Sequence, residues 1–187
     1  ELDRIEKALF APGRNVFIYG ERGVGKSSLA ATAANQWQSS DAEYIDVSCS
    51  PDSTITSIVA NIASQAVDAK WSETTRVTEE ARLGMKWLSY SVRSEVSPTD
   101  FSERIKSLSD AIEVLKEVAA LHSSVPVVVV DEVDRIEDEK EVDLLADLLK
   151  QIGDKRVGVK FIFTGVGGAL NEILGAHRSA IRQLETI

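Results

Sequence analysis

A chain of 187 residues has room for one well-buried α/β domain and not comfortably for two. With 43% hydrophobic and 27% charged residues its composition is ordinary for a globular protein, and no run of 18 or more apolar residues marks a membrane span. The formal net charge of −9 argues against a broad nucleic-acid surface, because such affinity comes largely from neutralising phosphates.

The single cysteine, Cys49, cannot close an internal disulfide. It reads as a small buried residue in a reducing compartment, so the cytoplasm is the expected location. The opening Glu1-Leu2-Asp3-Arg4 carries neither an initiator Met nor a signal pattern, which suggests an excised or trimmed segment.

In chain order, Leu2, Ile5 and Leu9 recur at helical spacing and predict a lead-in helix ending at Pro12-Gly13. Asn15-Val16-Phe17-Ile18-Tyr19 is a compact apolar run, expected as a buried first strand, with a helix over 27–37 after a glycine-rich stretch. Residues 44–47 predict a second strand, and Pro51-Asp52-Ser53 a turn and helix cap. Ile55, Ile58, Val59, Ile62 and Ala66 mark one helical face. Phe101, Ile105, Leu108, Ile112, Leu115 and Ala119 mark another, with Asp100 and Glu103 placed to cap it.

Residues 125–130 are almost purely β-branched, as a central parallel strand covered on both faces should be. Val142, Leu145, Leu149 and Ile152 predict a helix closed by Gly153, then a strand over 159–163 and a helix over 169–174. Alternating strands and helices argue for a parallel sheet with helices on both sides. Residues 70–98 depart from this rhythm and are expected to form an insertion, with a small hairpin suggested by the alternation of Leu83, Met85, Trp87 and then Leu88, Tyr90, Val92.

Gly20-Glu21-Arg22-Gly23-Val24-Gly25-Lys26-Ser27, with Ser28 beside it, matches the phosphate-binding pattern G-x-x-x-x-G-K-[ST] in full. Successive backbone N–H groups must wrap a phosphate chain there, and glycine tolerates the dihedrals and the close approach this needs. Lys26 is expected on the β- and γ-phosphates, Ser27 on Mg²⁺, and the helix N-terminus adds its positive dipole end. The expected ligand is ATP with Mg²⁺. A dinucleotide fingerprint is excluded, since Ser28 stands where a third glycine or alanine is needed.

The valine-rich strand runs straight into Asp131-Glu132. A carboxylate at the end of a strand beside the phosphate loop can hold Mg²⁺, and the adjacent Glu132 can polarise an attacking water. Binding alone needs only the first acid, so the pair argues for hydrolysis. The competing account, a solvated acidic run continuing through Asp134, Asp138, Glu139 and Glu141, is weakened by the strand before it.

Together, residues 20–27, the strand ending Asp131-Glu132 and the strand ending Phe161-Ile162-Phe163-Thr164 resemble the AAA+ superfamily. The resemblance is nearest to its origin-recognition and helicase-loader branch, with signal-transduction (STAND-type) ATPases close by. It covers the chain in element order, but only about two short motifs are specific. It implies a three-layer P-loop NTPase fold, a central parallel sheet in the order 5-1-4-3-2, and residues 1–187 as one ATPase core. It implies further that Thr164 occupies the sensor-1 position, contacting the γ-phosphate or water. Arg182 and Arg178, before a fifth strand starting near Glu185, are implied as arginine fingers reaching into a neighbour's site. The helical lid carrying a sensor-2 arginine would follow Ile187.

The implied function is an ATP-hydrolysing module that drives or switches a macromolecular assembly, with a STAND-like switch of little turnover as the alternative. Expected partners are further copies of the chain or another protein. Arg82, Lys86 and Arg93, interleaved with Trp87 and Tyr90, suit nucleic acid or a protein, although Glu79, Glu80 and Glu95 dilute that charge. His122 and His177 lack metal-ligand spacing with Cys49, and no Gly-x-Ser-x-Gly elbow supports a serine hydrolase.

Overall fold

The computed structural model describes residues 1–38, 44–73, 98–168, 171 and 184–187, with backbone alone for 68–73 and 98–100. Helix α1 (Leu2–Phe10) leads into β1 (Asn15–Tyr19), α2 (Lys26–Trp37), β2 (Ile45–Ser48) and α3 (Ile55–Glu73). There follow α4 (Pro98–Arg104), α5 (Leu108–Leu121), β3 (Val127–Asp131), a 3₁₀ turn (Val133–Arg135), α6 (Glu139–Asp154), β4 (Lys160–Gly165) and β5 (Leu184–Thr186).

The five strands form one parallel sheet in the order β2-β3-β4-β1-β5, the order the resemblance implies, read from the other edge. Their side chains alternate between two cores. Val16, Ile18, Val127, Val129 and Ile162 pack against α1 and α2. Phe17, Val128, Val130, Phe161 and Phe163 pack on the opposite face with α3, α5 and α6. Strands buried on both sides have no polar face to show, which is why residues 127–130 read as unbroken valine. Phe161 and Phe163 stack at 5.5 Å, and Phe17 stacks on Phe163 at 6.4 Å.

The expected elements are present with shifted ends. The turn at Pro51-Asp52 forms, but the cap of α3 is Thr54, whose Oγ1 accepts from Ser57 N at 3.0 Å while Ser57 Oγ accepts from Thr54 N at 2.9 Å. A further donor at that helix end, Ile55 N, bonds Glu141 Oε2 of α6 at 2.7 Å.

The single helix expected over 101–119 is two. Ser107 Oγ accepts from Asp110 N at 3.2 Å and starts α5 afresh, while Asp100 lies inside α4 rather than capping it. Gly153 does not end its helix. The chain turns at Arg156, in the left-handed region at φ 49°, where Val157 N bonds Ile152 O at 3.0 Å and Arg156 N bonds Gly153 O at 3.2 Å. A side chain pays there for a conformation glycine adopts freely, so Arg156→Gly should stabilise the fold by about 0.5–1 kcal/mol, read as a raised urea midpoint at constant m-value.

Of the segment 70–98, residues 70–73 continue α3 and residue 98 opens α4. The hairpin and the Arg82–Tyr90 interleaving fall outside the described residues, as do Arg178, Arg182 and most of the helix expected over 169–174. Among the described residues, no helix is long and apolar enough to cross a membrane.

Candidate nucleotide site

Parallel strands end on a common edge, and here the edge collects the polar residues the sequence singled out. β1 delivers the glycine loop, β3 delivers Asp131, and β4 delivers Thr164 between them. The register Val130↔Phe163 sets Asp131 beside Thr164, and Tyr19↔Gly165 sets the loop beside the end of β4.

Gly23 and Gly25 sit at φ 83° and 89°, and Gly25 caps α2. A Cβ built on either would meet nothing within 4 Å, so the left-handed backbone, not crowding, demands glycine there. The same openness leaves room for a ligand against the loop. The first turn of α2 carries no acid to oppose an anion. Lys26 Nζ donates to Gly20 O at 3.2 Å and Glu21 O at 2.8 Å, so the loop's own carbonyls hold the ammonium at its mouth.

Asp131 Oδ1 is where the strands meet. It accepts from Ser27 Oγ at 3.0 Å, from Thr164 Oγ1, and from Glu132 N at 3.1 Å, while Glu132 N also reaches Thr164 Oγ1 at 3.1 Å. Thr164 is fully buried, so its hydroxyl is a fixed part of this cluster rather than a surface group. The residue after Asp131 breaks the strand direction. Glu132 lies at φ 56°, ψ 46°, a left-handed conformation that costs a non-glycine residue about 1–2 kcal/mol. Residues held in such a conformation cluster at clefts and switch regions. The Glu132 side chain is exposed and borders the cleft.

Asp134 and Arg135, on the 3₁₀ turn, were not assigned roles from the sequence. Asp134 is not part of a solvated acidic face: its side chain is 10% exposed, Oδ1 accepts from Val166 N at 3.2 Å, and Oδ2 lies 3.4 Å from Arg22 Nη2. It ties the glycine loop to the end of β4. Arg135 Nη1 donates to Glu132 Oε2 at 3.1 Å. The signal was the i,i+3 spacing of Glu132 and Arg135, which becomes a contact only once the turn is known to be helical.

These residues line an open cleft of about 540 Å³, bounded by Arg22, Lys26, Ser27, Asp131, Glu132 and Arg135 among others. Among the described residues there is no group of three or more His, Cys, Asp or Glu side chains that could hold a metal. One hydroxyl and one carboxylate, Ser27 and Asp131, are the donor set here, and Mg²⁺ is commonly held by one or two carboxylates plus substrate phosphates. The residues therefore fit a magnesium–nucleotide pair better than a resident metal.

Gly165 is packed against the cluster. A Cβ would stand 3.1 Å from Val133 Cγ2, 3.2 Å from Phe17 Cζ and 3.4 Å from Asp134 Oδ1. Val133 and Phe17 are buried and tightly surrounded, so Gly165→Ala should destabilise by about 1–3 kcal/mol in urea unfolding. Nearby, burial and then the charge of Asp131 push the Cys49 thiol up to about 12, so it stays protonated and unreactive near neutrality.

A sequence model of the AAA domain matches residues 12–174. The chain belongs to the AAA domain family. That span contains the glycine loop, Asp131-Glu132 and Thr164, which border the cleft. No curated protein matches the chain in sequence. Arg178 and Arg182 lie beyond the matched residues as well as outside the described ones.

Proposed function

We propose that this AAA domain binds Mg²⁺–ATP and hydrolyses it, using the energy to drive or switch an assembly. The observation that carries the reading is the convergence of Ser27 and Thr164 on Asp131 Oδ1, with Glu132 turned into the cleft beside it. Residues 20–28 would cradle the phosphates through backbone N–H groups, and Lys26 would leave the loop carbonyls for the β- and γ-phosphates. Ser27 and Asp131 would hold Mg²⁺, which supplies charge neutralisation on the phosphate oxygens. Thr164 would orient the attacking water or the γ-phosphate. Glu132 would accept a proton from that water as its oxygen bonds to the terminal phosphorus. The bond from phosphorus to the bridging oxygen breaks, ADP departs with that oxygen, and the proton leaves with inorganic phosphate.

Arg182, with Arg178 as the other candidate, would act from a second copy of the chain on the charge of the transferring group. This assigns residues 1–187 to one AAA+ core with an insertion near 70–98, closest in kind to origin-recognition and helicase-loader ATPases and working in the cytoplasm. A partner protein, or nucleic acid met through other domains or the insertion, would be the object of the work.

A second reading, a STAND-like switch that holds its nucleotide with little turnover, draws support from the Glu132–Arg135 pair, which occupies the proposed base. Phosphate release with ATP and Mg²⁺, followed across protein concentrations, separates the two. Turnover that needs Mg²⁺ and rises faster than linearly with protein supports a shared hydrolytic site. Retained ADP with no phosphate release at any concentration supports the switch and removes the hydrolase reading.

A further inference from the structure

The charges lining the cleft are balanced before any ligand arrives. Arg22, Lys26 and Arg135 face Asp131, Glu132 and Asp134. Lys26 rests on the loop carbonyls and Arg22 lies near Asp134, whose carboxylate is nearly enclosed and already accepts from Val166 N. The third cation is different. Arg135 is paired, at 3.1 Å, with the carboxylate proposed to activate water.

We propose that Arg135 is a phosphate-binding residue of this same chain, held by Glu132 until a nucleoside triphosphate draws it onto the terminal phosphate. The inference rests on the reading of the cleft as an ATP site, and goes beyond it by naming a cis-acting cation and a restraint on Glu132. Both side chains of the pair are about half exposed, at 45% and 52%, so the pair is screened by solvent and exchanges easily. A terminal phosphate offers a guanidinium more charge than a carboxylate and can be met through two N–H groups, where Glu132 is met here through one.

The exchange has two effects. The terminal phosphate gains a cation that a diphosphate cannot recruit. Glu132 also loses its ion-pair partner, which leaves its carboxylate free to meet the attacking water. Arg22 is the poorer candidate for this exchange, because its acidic partner is fixed by a second bond and does not serve the chemistry. Arg135 is short of alternatives for another reason. It sits on the turn that Glu132 caps, with Arg135 N bonded to Glu132 O at 3.0 Å, so the two side chains start from the same short turn.

The test is a set of calorimetric titrations of the full chain with ADP and with a non-hydrolysable ATP analogue, both with Mg²⁺. Arg135→Ala should weaken the triphosphate about tenfold and leave ADP within about twofold, with Arg135→Lys in between. Glu132→Gln should tighten the triphosphate and not ADP, because it releases the guanidinium. Arg135→Ala combined with Glu132→Gln should lose that gain, a coupling that damage to the fold does not produce.

Equal loss of both nucleotides in Arg135→Ala, or an unchanged triphosphate affinity, overturns the assignment of Arg135 and leaves the nucleotide site standing. Failure of the unsubstituted chain to bind either nucleotide overturns the site itself.

Discussion

Lys26→Ala should weaken ATP binding by at least about 100-fold, on the order of 3 kcal/mol, while the protein remains folded. In the nucleotide-free chain the Lys26 ammonium bonds Gly20 O and Glu21 O, so it already has partners and the loop keeps its shape around them. A phosphate chain replaces those neutral acceptors by charged ones, and charge-assisted bonds are roughly twice as strong. Alanine removes the donor from the bound state and only two bonds to exposed or half-exposed carbonyls from the free state. The loss therefore falls on binding far more than on stability. Fluorescent-nucleotide titration measures the first, and a thermal melt within a few degrees of the unsubstituted protein checks the second. ATP affinity retained within a few-fold would show that the triphosphate does not sit on this loop.

Glu132→Gln should bind ATP at least as tightly as the unsubstituted chain and turn it over about 10²–10⁴-fold more slowly. Glutamine keeps the length and shape of the side chain and is no worse in the left-handed backbone at φ 56°. It cannot accept the proton. Asp131, Ser27 and Thr164 keep their mutual bonds, since the only contribution of residue 132 to them is its backbone N–H. Single-turnover phosphate release measures the chemical step directly. Turnover close to normal in Glu132→Gln would remove Glu132 as the base and, with it, the reason for reading the acidic pair as hydrolytic.

The parts of this site that could be read in the sequence are those set by contiguous backbone. Residues 20–27 form a loop whose glycine spacing is itself the geometry, and β-branched residues 127–130 announce a strand whose end must fall near Asp131. Thr164 came from a resemblance, and the residues around it gave no sign that its hydroxyl is buried beside Asp131.

Asp134 and Arg135 could not be assigned in this way. Their meaning depends on a single 3₁₀ turn, and an acidic residue in an acidic run looks solvated until Val166 and Arg22 are seen around it. The split between α4 and α5 was hidden because Phe101, Ile105, Leu108 and Ile112 keep helical spacing straight through it. A hydrophobic stripe records which residues face the core, not whether the backbone between them is continuous. Gly153 misled for a related reason. The left-handed turn was taken by Arg156, three residues later, because Val157 and Ile152 are the apolar pair that closes that helix end.

The edge strand β5 is short, yet it is gripped from two directions. Ile187 N bonds Phe17 O at 2.9 Å, Tyr19 N bonds Ile187 O at 3.0 Å, and Glu185 takes Arg4 at 3.0 Å and Arg14 at 3.1 Å. The last of these backbone bonds ends on the residue just before Gly20. The edge of the sheet is thus a lever with a very short arm. A displacement of β5, or of α1 through Arg4, reaches the phosphate loop through one residue of rigid strand, with no loop in between to absorb it.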